Sequence, residues 1–208
     1  MDWRCRADRA DHLVGVVQIV KLTAACIRKA RLSAGFLFLG IALSGCAVIL
    51  PQSSALREQR PPDLPVRVEL TAIPFFAQTE YQCGPAALAM ALNAAGIGVT
   101  PEALVEQVYI PARKGSLQVE MLAATRRRGL IAYELAPQLT DVLGEIAAGA
   151  PVIVLENYGF RIYPIWHYAV AIGYDLERVE IIRRSGTKQR QTMPLGVFVD
   201  LWRHFLTL

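Results

Sequence analysis

The sequence is poor in the residues that hold metals and disulfides. Its four cysteines, Cys5, Cys26, Cys46 and Cys83, form no CxxC pair. The three histidines, His12, His167 and His204, add no zinc-like spacing. Neither a structural metal site nor a cofactor is therefore expected. Charge is scarce too: 19% of residues are charged and the net charge is +4. Much of that excess lies near the start, at Arg4, Arg6, Arg9, Lys21, Arg28, Lys29 and Arg31. A basic start ahead of an apolar segment favours membrane targeting over nucleic-acid binding. The other dense run, Arg126-Arg127-Arg128, falls at a predicted helix end, where cations meet the negative pole of the dipole. The apolar run beginning at Leu32 is about fourteen residues long, short of the ~20 that a spanning helix needs. Internal repeats are not visible.

What remains is a chain of 208 residues, 53% hydrophobic with 15 glycines, enough for one globular domain and some extra material. In "RKARLSAGFLFLGIALSGCA", Arg28, Lys29 and Arg31 form a charged region, followed by an apolar stretch and a small-residue site ending at Cys46. That order is the grammar of a signal peptide. Leu43-Ser44-Gly45-Cys46 also resembles a bacterial lipobox. The resemblance implies cleavage before Cys46, lipidation of its sulfur and, with Ala47 in place of an aspartate, sorting to the outer membrane facing the periplasm. Residues 1–45 are thus read as a signal peptide with an N-terminal extension. A start of translation further downstream would place Cys5, Cys26 and His12 outside the working protein. Residues 46–65, rich in Pro, Ser and charge, read as a lipid-attached flexible tether. The folded domain is expected over 66–208.

Within that domain, residues 67–78 read as an extended lead-in and 85–95 as a helix with Pro85 in its first turn and Gly96 as its stop. Thr100-Pro101 opens a second helix to about Val108, and Ser116 caps a third over 117–127. "LIAYEL" reads as a strand, and Thr140 caps a short helix ending at Gly149. Strands follow at 151–157, 167–175, 178–184 and 188–193. A last amphipathic helix starts at Pro194, with Val197, Leu201 and Phe205 on one face. Helices first and strands later predict an α+β fold, with N-terminal helices packed on an antiparallel sheet.

A catalytic cysteine needs help in losing its proton, a base to hold that proton, and donors for the oxyanion. Cys83 stands at a helix start, where unpaired N–H groups and the helix dipole favour a thiolate. Gly84 permits close approach of the backbone. His167, opening the strand "HYAVAIGYD", is the histidine placed to act as base, since His12 lies in the N-terminal segment and His204 in the last predicted helix.

Together, "AQTEYQCGPAALAMALNAAG" and, 84 residues after Cys83, "WHYAVAIGYD" resemble the papain-like cysteine peptidases of the bacteriocin-processing, double-glycine-leader type, and in particular a branch carrying a lipobox. The resemblance spans roughly residues 66–202. It implies a papain-like fold, with Cys83 as nucleophile, His167 as general base and acid, and Gln78 as oxyanion donor beside the Cys83 backbone N–H. Gln78 lies five residues before the cysteine, where many relatives have six. Many relatives also carry an aspartate that orients the histidine, and here that place reads "IIRRSGT". Asn157, Asp175 and Ser185 are the candidates for the orienting role. The resemblance further implies a last strand beyond Trp202, whereas "RHFLTL" continues the predicted helix; either this is a short member of the branch or the domain is C-terminally truncated, and a missing core strand would leave an exposed sheet edge.

The expected function is that of a membrane-anchored lipoprotein cysteine peptidase acting on peptide or isopeptide bonds, with a peptide or protein as substrate, the membrane as partner through Cys46, and no nucleic acid. Without an evident carboxylate behind His167, a weak enzyme is anticipated. The alternatives are a peptide-binding module that cuts nothing, and a transamidase or peptide-ligating enzyme in which an amine resolves the thioester.

Overall fold

The computed structural model describes residues 51–78, 80–160 and 162–207. The signal segment, the lipobox and Cys46 lie outside the described residues. Among the described residues, no helix is long and apolar enough to cross a membrane.

Among the described residues, six α-helices and nine strands follow one another: α1 (Pro51–Glu58), β1 (Arg67–Glu69), α2 (Cys83–Ala94), α3 (Glu102–Val108), β2 (Tyr109–Ile110), β3 (Gly115–Ser116), α4 (Gln118–Arg126), β4 (Tyr133–Glu134), α5 (Leu139–Ala147), β5 (Val152–Asn157), β6 (Trp166–Asp175), β7 (Glu180–Ser185), β8 (Lys188–Pro194), α6 (Leu195–Leu201) and β9 (Trp202–Thr207). Seven strands form one antiparallel sheet in the order β4-β9-β5-β6-β7-β8, and β1 adds to the far end of β6.

The central strand β6 explains how the sheet carries a core on each face. Tyr168, Val170 and Ile172 point to one side, where they meet the buried run of α2 together with α3 and α4. Ala169 and Ala171 point to the other, toward α1, α5 and α6. A register shift between Ala171 and Gly173 then changes the parity, so that Tyr174 joins the second core. Such a shift is the usual effect of a bulge. A strand buried on both faces needs an almost unbroken apolar sequence, and "YAVAIGY" supplies one.

Helix α2 lies close to the sheet because Ala86, Ala87, Ala89 and Ala91 keep its girth small; all are buried. Leu88, Met90 and Leu92 are fully buried between them, each contributing about 1.5–3 kcal/mol. Gly96, with φ of 84°, ends the helix.

Several expectations change here. Residues 51–58 form a helix instead of a flexible tether, because Leu56 and, beyond it, Leu64 are buried in the second core. The side chain of Gln52 accepts from the Leu139 N–H at 2.6 Å, so α5 is capped from α1 and not by Thr140. Ser116 does not cap α4; it pairs with Tyr109 in the β2–β3 hairpin. The last predicted helix stops at Leu201, and its buried residues are Leu195 and Phe198. Most consequentially, residues 202–207 form β9, paired with β5 on one side and β4 on the other. The strand expected to be missing is present inside the sheet.

Candidate active site

Cys83 is the first residue of α2, and Tyr81 just before it has φ of 63°, the left-handed turn that swings the chain into the helix. The thiol is free and half-buried. Gly84 is required by its neighbour: a Cβ there would come within 2.5 Å of Ser116 Cβ. Strand β3, at the base of the β2–β3 hairpin, therefore rests directly on the helix start.

His167 lies near the start of β6, opposite Glu156 of β5. Its Nε2 lies 3.0 Å from Ser185 Oγ at the end of β7. The Tyr158 ring packs against the imidazole at 5.7 Å between centroids, inclined by 52°. Gln78 is buried and fixed at three points. Its backbone N–H donates to the Gly186 carbonyl at 3.0 Å, its Oε1 accepts from the Gly186 N–H at 2.8 Å, and its Nε2 donates to the Tyr168 carbonyl at 2.9 Å. The turn after Ser185 is thus tied to the loop before Cys83.

Cys83, His167 and Gln78 line one cleft of about 860 Å³, and Trp166, Tyr168 and the 113–118 segment complete much of its wall. Lys114, itself left-handed at φ 49°, stands 5.3 Å from the Tyr81 ring centroid at the rim. Of the aromatics near the histidine, Trp166 and Tyr168 face the cleft, whereas Phe160 and Tyr163 are exposed beside it.

The three candidates for the orienting role separate clearly. Asn157 Oδ1 accepts from the N–H groups of Gly159 and Ile165, both at 2.9 Å, and so shapes the β5–β6 loop. Asp175 Oδ1 accepts from the Glu177 and Arg178 N–H groups at 3.0 Å, closing the β6–β7 turn. Both side chains are engaged by local backbone donors, and the hydrogen-bonding partner of the imidazole is Ser185.

Burial dominates the electrostatics. It pushes the Cys83 thiol above its usual pKa, against the opposing pull of backbone hydrogen bonds at Tyr168, Gly84 and Cys83 itself. Desolvation outweighs the helix start, contrary to the thiolate that the sequence suggests. Burial, followed by the positive charge of Arg183, lowers His167 to about 4. At neutral pH the resting pair is therefore a thiol and a neutral imidazole.

Sequence reasoning missed the group behind this. Arg183 and Glu156 form an ion pair, both fully buried. Tyr158 bridges them: its hydroxyl donates to Glu156 Oε2 at 2.7 Å and accepts from Arg183 Nη1 at 2.7 Å. The signal was a charged residue inside each of two buried apolar strands, "VIVLEN" and "EIIRRS", an arrangement tolerated only in pairs. Among the described residues, no cluster of His, Cys, Asp and Glu is arranged to hold a metal.

Comparison with known proteins gives the same outline. The peptidase domain of Streptococcus ComA, a bifunctional ABC transporter involved in quorum sensing, superposes with a TM-score of 0.55 at 19% identity, covering 65% of this chain and 96% of that one. A double-glycine-motif protease from an AMS/PCAT transporter, solved with its leader peptide, gives 0.50 at 21% identity over 69% of this chain and 97% of that one. At those identities the likeness is one of fold: a papain-like arrangement of helices and curled antiparallel sheet. A search of curated proteins gives no match. The family model for the Peptidase_C39 like family matches residues 70–206, nearly the whole described domain, and the chain belongs to that family.

Proposed function

We propose that the protein is a cysteine peptidase that hydrolyses amide bonds of a peptide through a thioester on Cys83. The observation that carries this reading is the convergence of Cys83, His167 and Gln78 on one cleft, with His167 Nε2 engaged by Ser185. That engagement leaves Nδ1 as the nitrogen for the thiol proton. Because the resting pair is neutral, deprotonation accompanies attack: Sγ adds to the scissile carbonyl carbon as its proton passes to His167 Nδ1. The oxyanion is held by the Cys83 N–H and by the Gln78 Nε2 hydrogen that is not donated to Tyr168. The imidazolium then protonates the leaving amine as the C–N bond breaks. Water, deprotonated by the same imidazole, releases the acid and restores the thiol.

Ser185 can hold the ring in place but cannot neutralise the imidazolium, which makes this a slower catalyst than one with a carboxylate behind the histidine. The lipobox supports attachment at Cys46 to the bacterial outer membrane, with the cleft open to periplasmic peptides. A Cys46→Ser chain that still partitions with membranes would remove that part of the reading.

The deciding experiment compares wild type with Cys83→Ala on a whole-envelope peptide pool, followed by mass spectrometry of new termini. Cleavage in the wild type should fall at least about 10³-fold in the variant. Equal cleavage by both chains would exclude Cys83 as the nucleophile, and peptide binding with no cleavage by either would make the domain a binding module.

A further inference from the structure

Ser185 grips the His167 imidazole at one atom, Nε2, at 3.0 Å. A single hydrogen bond fixes that atom but leaves the ring free to turn about it. Proton transfer needs direction as well, because the nitrogen that takes the thiol proton must be aimed at the sulfur. Tyr158 supplies a second contact: its ring packs against the imidazole at 5.7 Å between centroids, inclined by 52°. The tyrosine is itself held at both ends. Its N–H donates to the Ile165 carbonyl at 2.9 Å across the β5–β6 loop. Its hydroxyl donates to Glu156 Oε2 and accepts from Arg183 Nη1, both at 2.7 Å. Glu156 stands directly opposite His167 on β5, and Arg183 lies on β7. The strands on either side of β6 therefore both hold the ring that lies against its histidine.

The anchor is a buried ion pair, and such a pair stabilises a fold little relative to apolar side chains of the same volume. What Glu156 and Arg183 provide that two apolar residues could not is a fixed acceptor and a fixed donor, and the Tyr158 hydroxyl uses both. Tyr158 is itself 44% exposed, so apolar burial alone does not set the place of its ring. From this we infer that Tyr158 is a positioning residue: its ring, tied by the hydroxyl to Glu156 and Arg183, clamps the His167 imidazole so that Nδ1 is directed at the Cys83 thiol. The inference rests on Cys83 and His167 working as the pair proposed above.

The test uses the full chain and iodoacetamide at pH 7, with mass spectrometry following the peptide that contains Cys83. Sγ displaces iodide from the methylene carbon of the reagent and forms a thioether, while the thiol proton passes to His167. Tyr158→Leu removes ring and hydroxyl together and should slow this alkylation about 10–100-fold, the scale of a misplaced reacting group. Tyr158→Phe keeps the ring and loses only its tether, so its rate should fall between those of Tyr158→Leu and the wild type. Should Tyr158→Leu unfold, it would speed alkylation by exposing the half-buried thiol, and Tyr158→Phe then decides by its own slowing. The decisive comparison repeats both substitutions in His167→Ala. With no imidazole to aim, neither should change the rate further. No slowing by Tyr158→Phe, or slowing of the same size with and without His167, would overturn the inference. If His167→Ala alone leaves the Cys83 rate unchanged, the two residues are uncoupled, and the peptidase reading beneath falls instead.

Discussion

Installing a carboxylate behind His167 is the sharpest perturbation this site allows. Ser185 Oγ lies 3.0 Å from Nε2, so Ser185→Asp would put an anion in ion-pair contact with the imidazolium. At about 4 Å and an effective dielectric near 20, unit charges attract by about 4 kcal/mol. Burying the new carboxylate costs several kcal/mol, so only part of that attraction survives. Arg183, which now disfavours the imidazolium, would help to hold the carboxylate ionised. An opposite charge at this range raises a histidine pKa by roughly 1–3 units, each worth 1.36 kcal/mol. The wild-type ring sits at about 4, so activity should stay level as pH falls through 6.5 and decline only near the folded pKa. In Ser185→Asp the acid limb should move up to between about 5 and 7, and turnover at pH 7.5 should rise about 10-fold for each 1.4 kcal/mol gained by the imidazolium-like transition state. The assay is kcat/KM against pH for both chains, with the His167 ring followed by NMR titration. A wild-type acid limb already at 6.5, or a limb unmoved by the aspartate, would refute the account of burial and of Ser185 as the partner.

Two further substitutions probe the surroundings. Gly84→Ala drives a Cβ into Ser116 and should push the β2–β3 hairpin off the helix start, costing about 1–3 kcal/mol in urea denaturation and lowering kcat/KM in step; unchanged stability would mean that the contact yields freely. Arg183→Met strands the buried Glu156 carboxylate and should destabilise by about 3–5 kcal/mol at neutral pH, whereas the Glu156→Leu/Arg183→Met double variant should recover most of the loss. A double variant as unstable as the single would show that the pair is not coupled.

The sequence made Cys83, Gln78 and His167 readable as a constellation because each carries local marks: a helix start, polar neighbours, the head of an apolar strand. Its silence on the orienting group has a physical cause. Asn157 and Asp175 have suitable side chains, but turn N–H groups close to them in the chain claim those oxygens. Ser185 reaches the imidazole only because β6 and β7 pair in one register, which periodicity does not encode. Distance in sequence also hid β9, since "WRHFLT" continues an amphipathic helix pattern until β5 and β4 offer it backbone partners. In residues 51–64, Leu56 and Leu64 are isolated apolar residues among Pro, Ser and charge, too sparse to signal packing before the second core exists to receive them.

The place of β9 also sets a schedule. The strand farthest along the chain sits between β4 and β5, and β1, the earliest strand, waits for β6. During synthesis, β5 has an open edge until the segment from Trp202 to Thr207 arrives. The sheet therefore closes late, by contacts of long sequence separation that form slowly. Until that last strand is delivered, the sheet ends at β5 and β4 has no strand to join.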